Sequence, residues 1–181
     1  MAGFNVNNFR AQLVGQGARP NLFEVTVPFP AGANPGEAGQ KMTFMCKGSQ
    51  IPGGTLGTVE ANYFGRVVKL AGNRTFEEWT TNVINDEDFA VHAGFVNWMN
   101  YINSHAENLR TNNTTDYQVD AMVSHYGKDG KVIKQVTLVN AWPSAIPAIE
   151  LDWSTNDALE EFAVTWQYDY WQVADDKAQT S

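Results

Sequence analysis

Alternating apolar and polar positions recur along most of the chain and predict a mainly β protein. Phe23, Val25 and Val27 share one face of a strand over 21–27, which Pro28 and Pro30 end. A flexible loop over 31–39 leads to a second strand over 41–47, and Pro52, Gly53, Gly54 and Gly57 then break the pattern. Extended runs over 58–64 and 66–70 meet near Gly65 and stop at Ala71 and Gly72, and 75–84 is a further strand with Trp79 and Val83 on one side. One helix is predicted over 86–109, where Phe89, Ala93, Val96, Met99, Ile102, Ala106 and Leu109 recur at three- and four-residue steps. Asp86, Glu87 and Asp88 fill its first turn, where carboxylates favour the helix dipole. Phe95, Trp98 and Tyr101 spread round the cylinder, able to widen the core contact or to reach a neighbouring subunit. A hairpin follows, 117–126 against 131–139, with Asp129-Gly130 at the reversal. After Trp142-Pro143 and a strand over 148–153 comes the cleanest alternation, with Phe162, Val164, Trp166, Tyr168 and Tyr170 opposite Glu161, Ala163, Thr165, Gln167 and Asp169.

The chain of 181 residues is long enough for one domain, with residues 1–17 as an N-terminal arm and 172–181 as a flexible tail. No run approaches the roughly 18 apolar residues of a membrane span, and the first residues do not form a basic start before an apolar run. Cys46 is alone, so it is read as a small core residue. His92 and His105 are thirteen residues apart, a poor spacing for a shared metal, and no cofactor is expected. Phosphate-cradling glycine loops, GxSxG and HExxH are absent, and the adjacent pairs Glu77/Glu78 and Glu160/Glu161 point to opposite strand faces. An enzyme is therefore not expected.

Charge is segregated. The net charge is −8, and 143–181 holds eight acids against Lys177 alone. The stretch 41–74 carries Lys41, Lys47, Arg66, Lys69 and Arg74 against Glu60. Such a balance disfavours tight DNA binding, which depends on Lys and Arg. It suits a basic surface on one copy meeting an acidic surface on another.

Several ordered segments resemble the tail tube proteins of contractile-tailed bacteriophages, from about residue 18 to 171: Ala18 to Val25, Phe44 to Lys47, Leu70 to Trp79, Val83 to Glu87, Trp142-Pro143, Leu151-Asp152-Trp153, and Phe162 to Thr165 through Asp169 to Trp171. The resemblance implies two packed antiparallel sheets in a sandwich or barrel with one flanking helix, and a hexameric ring whose inner strands join one β-barrel. With about 24 strands spaced roughly 4.8 Å and tilted about 40°, the lumen is roughly 40 Å wide, enough for duplex DNA to pass without specific binding. It further implies a virion component assembled in the host cytoplasm, partnered by itself, the sheath, the baseplate initiator, the terminator and the tape measure protein. Tubes of phage-tail-like bacteriocins and of type VI secretion or other injection systems are the alternative within the class. A carbohydrate-binding β-sandwich is the alternative outside it, because there are six Trp residues. Expected contacts between copies are Ile51, Gly53, Gly54 and Leu56, in a loop over 51–58 reaching an adjacent ring or subunit, with Arg66 and Lys69 facing Glu150, Asp152 and Asp169.

Overall fold

A computed structural model describes residues 6–13, 17–111 and 113–174. Its body is two antiparallel sheets that share one long strand. Strands β1 (Phe23–Thr26), β2 (Cys46–Gly48), β5 (Trp79–Ile84), β6 (Val119–Tyr126), β7 (Val132–Ala145), β8 (Glu161–Gln167) and β9 (Tyr170–Val173) join in the order β1-β6-β7-β8-β5-β2, with β9 also on β7. The first part of β7 pairs with β6 and β9, and its last residues, Trp142 to Ala145, pair with β8. One strand thus turns the corner from sheet to sheet, and side chains on the two inner faces meet between them. The remaining two strands, β3 (Gly54–Tyr63) and β4 (Arg66–Phe76), form a separate hairpin.

The core is aromatic. Trp166 lies 5.5 Å from Trp79, 5.5 Å from Phe95 and 5.7 Å from Trp98, ring centre to ring centre. Its indole N–H donates to the hydroxyl of buried Thr81 at 3.0 Å, which satisfies both polar groups inside the core. The alternation of Phe162, Val164 and Trp166 is buried as expected, and half-buried Tyr168 packs against the same core; it stops there, because the chain turns at Asp169 and Tyr170 begins β9 on the other sheet.

Among the described residues three α-helices accompany the sheets: α1 (Val6–Gln12), α2 (Ala38–Met45) and α3 (Ala90–Ile102). Helix α2 replaces the strand expected over 41–47. Ala38 and Met42, one turn apart, are both fully buried, and that spacing suits a helix face and not a pleat. Ala38 sits against Gly94 of α3, where an added Cβ would come within 2.4 Å of the Ala38 methyl. The segment 31–39 is consequently an ordered connection, with a 3-10 turn at Ala31–Ala33 and Ala33 buried.

Helix α3 is shorter than the stripe over 86–109 implied. It begins after Phe89, whose φ is +52°, and ends at Asn103, which bridges back to Arg110. The buried face is Val91, Gly94, Phe95 and Trp98, so Phe95 and Trp98 fill the core, while Leu109 is exposed. No strand forms over 146–160, where 148–153 was expected to be extended. Strand β9 reaches into the segment expected as a tail, and 175–181 lie outside the described residues.

Candidate assembly interface

The β3–β4 hairpin lacks cover along nearly its whole length. All ten residues of β3 are exposed, and in β4 only Gly72 and Phe76 are half-buried. At about 3.4 Å per residue it extends roughly 34 Å. The segment 51–58 is therefore half strand: Ile51 and Gly53 precede β3, whereas Gly54 and Leu56 belong to it, and β4 continues past Ala71 and Gly72 to Phe76.

Register explains its two faces. Val59 pairs with Leu70, Ala61 with Val68 and Tyr63 with Arg66, so one face is Val59, Ala61, Tyr63, Val68 and Leu70, edged by Arg66. Thr58, Glu60, Asn62, Val67, Lys69 and Ala71 lie on the other, with Lys69 3.9 Å from Glu60. Near the base Gly57 faces Gly72 and Asn73 across a bulge, where a Cβ on Gly72 would meet the Gly57 carbonyl carbon at 3.0 Å. At the tip, Phe64 and Gly65 have φ of +45° and +79°, the two positive angles of a type I′ reversal. Phe64 is 90% exposed and packs edge-on against Tyr63 alone.

The root, in contrast, is fastened to the body. Indole N–H groups of Trp79 and Trp171 donate to the carbonyls of Gln50 at 2.9 Å and Gly53 at 3.0 Å. Beyond the other strand, the Tyr168 hydroxyl donates to the Glu77 carbonyl at 2.7 Å, and Phe76 lies against the Tyr168 ring. Partial burial and nearby Glu77 raise the Tyr168 pKa, so the phenol stays a donor at neutral pH. Three buried or half-buried aromatic anchors thus aim a hairpin that touches little else.

Two further surfaces lack cover. Residues 6–13, including all of α1, are exposed. The segment 146–160 holds Leu151, Trp153 and Leu159, of which Trp153 is 98% exposed.

Expected charge partners are not joined within one chain. Glu150 and Asp152 stand on the 146–160 segment, where the Ser154 amide holds the Asp152 carboxyl below its ordinary range. Asp169 accepts from the Asn140 amide at 2.6 Å. Three bases of the 41–74 stretch are already matched: Lys41 with Asp86 and Asp88, Lys47 with Glu161, and Lys69 with Glu60. Arg66 and Arg74 make no ion pair among the described residues. Cys46 is half-buried, and burial pushes its thiol up to about 11, leaving it protonated and unreactive. Trp79, Trp98 and Trp166 are buried, so a carbohydrate platform would have Trp153 as its one fully exposed indole.

A family profile described as phage tail tube protein matches residues 18–174. The tail tube protein gp19 of Enterobacteria phage T4 is 32% identical over 164 residues, covering 90% of this chain and 96% of that protein. A tail tube protein of Serratia phage KSP90 is 27% identical over 175 residues, covering 96% of this chain and 98% of its own. Among solved structures, a chain from the sheath–tube complex of an extracellular contractile injection system superposes with a TM-score of 0.59 at 16% identity, covering 90% of this chain and 95% of that one. A chain from the baseplate of the anti-feeding prophage superposes with a TM-score of 0.61 at 12% identity, covering 90% and 98%. At those identities the likeness concerns the fold.

Proposed function

Because this chain belongs to the phage tail tube protein family, we propose that it is a structural subunit whose copies close into rings and stack as a tail tube, with the β3–β4 hairpin as the joining element. The family is one of structural proteins, not of enzymes. The observation that carries the reading is the hairpin itself. A lone two-stranded ribbon is marginal in water, and this one exposes five apolar side chains on one face and both of its strand edges. Copies arranged in a closed barrel cover that face and remove the edges together. The opposite face carries Thr58, Glu60, Asn62 and Lys69 with Val67 and Ala71 among them, and its one acid and one base leave it nearly neutral in charge. Turned to the lumen, it offers DNA neither a cationic grip nor a strong barrier.

Six copies per ring, passage of the genome through the bore, assembly in the host cytoplasm, and contacts with sheath, terminator, initiator and tape measure protein belong to this proposal. The phage reading is favoured over an injection-system tube by the 32% identity to a phage tail tube protein. Electron microscopy of the concentrated protein, with and without an initiating complex, tests it: tubes of stacked rings are expected, and a persistent monomer under both conditions would reject the reading. In Val59→Lys/Val68→Lys the monomer should keep its melting temperature, since both side chains are about half exposed, and tubes should be lost. Normal tubes from that variant would acquit the hairpin.

A further inference from the structure

We infer that helix α1 of one copy docks on the 146–160 segment of a second copy. The inference rests on the tube reading, which brings many copies within reach of one another. It begins with a helix that is hard to explain alone. Isolated helices shorter than about 12–15 residues are marginal in water, yet α1 has 7 residues and every one of them is exposed. Val6, Phe9 and Leu13 fall at i, i+3 and i+7 and form an apolar stripe. Residues 1–23 contain Arg10 and Arg19 and no acid. The helix precedes residues 18–174, the part that the family profile matches.

The receiving surface has the complementary chemistry. A stretch of fifteen residues without strand or helix is unusual in a compact domain unless it serves a function. Leu151 and Leu159 are 83% and 71% exposed and, with Trp153, border a cleft of about 350 Å³. Glu150, Asp152 and Glu160 line the same cleft, Asp157 belongs to the same segment, and 146–160 contains no base. One uncovered surface is apolar and basic; the other is apolar and acidic. Burial of Phe9 and Trp153 would supply the attraction, and Arg10 against the acids would select orientation and partner. Because both surfaces are exposed in the single chain, the contact is one between chains.

Cross-linking tests it directly. In a Cys46→Ser background, Asn8→Cys and Thr155→Cys sit beside the two surfaces and spare the apolar side chains. The two variants are mixed, assembled and treated with a short bismaleimide. A dimer band at about twice 20.1 kDa is expected in tubes, well above that from a control pair of Asn8→Cys with Lys131→Cys at the β6–β7 turn. Adding Phe9→Asp, which sets a like charge against the acids, should weaken the band by about tenfold. Tubes whose Asn8–Thr155 dimer does not exceed the control, or does not respond to Phe9→Asp, would overturn the docking and leave the tube reading intact. Failure of the unsubstituted chain to form tubes would remove both.

Discussion

Phe64 occupies a backbone conformation that suits Asn, Asp or Gly. A left-handed φ costs a residue with a Cβ roughly 1–2 kcal/mol, and an Asn-Gly pair would make the same reversal with less strain. Phe64→Asn should therefore slow amide exchange across β3 and β4 in the monomer while leaving the melting temperature unchanged, because the tip has no part in the core. If the Tyr63–Phe64 pair is a contact between copies, assembly of this variant should slow despite its better turn. Light scattering would read the rate, and assembly as fast as the parent would assign the tip no role. Legibility at this scale followed the uniqueness of the pattern. Phe162, Val164 and Trp166 stood out because a smaller residue, Ala163 or Thr165, separates each from the next and Glu161 and Gln167 flank the run. On α3 two apolar stripes compete, and Phe95 and Trp98 won because Phe29 and the β8 aromatics Phe162 and Trp166 stand opposite them, which no local periodicity reports.

Helix α2 shows how an element is misread when alternation and helical spacing coincide. Met42, Phe44 and Cys46 alternate like a strand, but Ala38 and Met42 face the core while Phe44 is exposed. The decisive contact is the approach of Ala38 to Gly94, which lies far along the chain. Lys41 then ties the helix to the entry of α3, donating to Asp86 at 3.1 Å and to Asp88. The Lys41 hydrogen bond holds the Asp88 carboxyl below its ordinary range, and Asp88 followed by Asp86 raises the Lys41 pKa. The stabilisation from Asp88 is present above its unfolded pKa, near 4, and is lost as pH falls through the lower folded value. That from Lys41 is present below about 10.5 and is lost as pH rises through the higher folded value. Melting curves of the parent and Lys41→Met should differ modestly between these limits and converge in acid below the folded Asp88 value. A gap that persists there would assign the effect to packing of the lysine stem. The loop reading of 51–58 failed for a related reason: glycines at 54, 57 and 72 signal a break, but here two of them permit a bulge inside a continuous ribbon.

The whole molecule is a compact body with unsatisfied appendages. Sequence patterning made the body's class visible, and the charge asymmetry was visible as well. What it could not supply was the pairing, because three bases of the 41–74 stretch find acids brought near by the chain's own topology. The hairpin adds a kinetic consequence. Held at its root and unsupported along its length, it is expected to fluctuate freely in the monomer, so the first copies to join must give up that freedom before any barrel closes around them. Polymerisation should then begin after a lag, and short tube fragments should abolish the lag without changing the final mass of polymer. Smooth onset, indifferent to seeds, would mean that the ribbon is already rigid. With such a barrier, subunits can accumulate while remaining dispersed, and growth starts where a preformed end presents ordered strands. The timing and place of construction would thus be set by the looseness of one exposed ribbon.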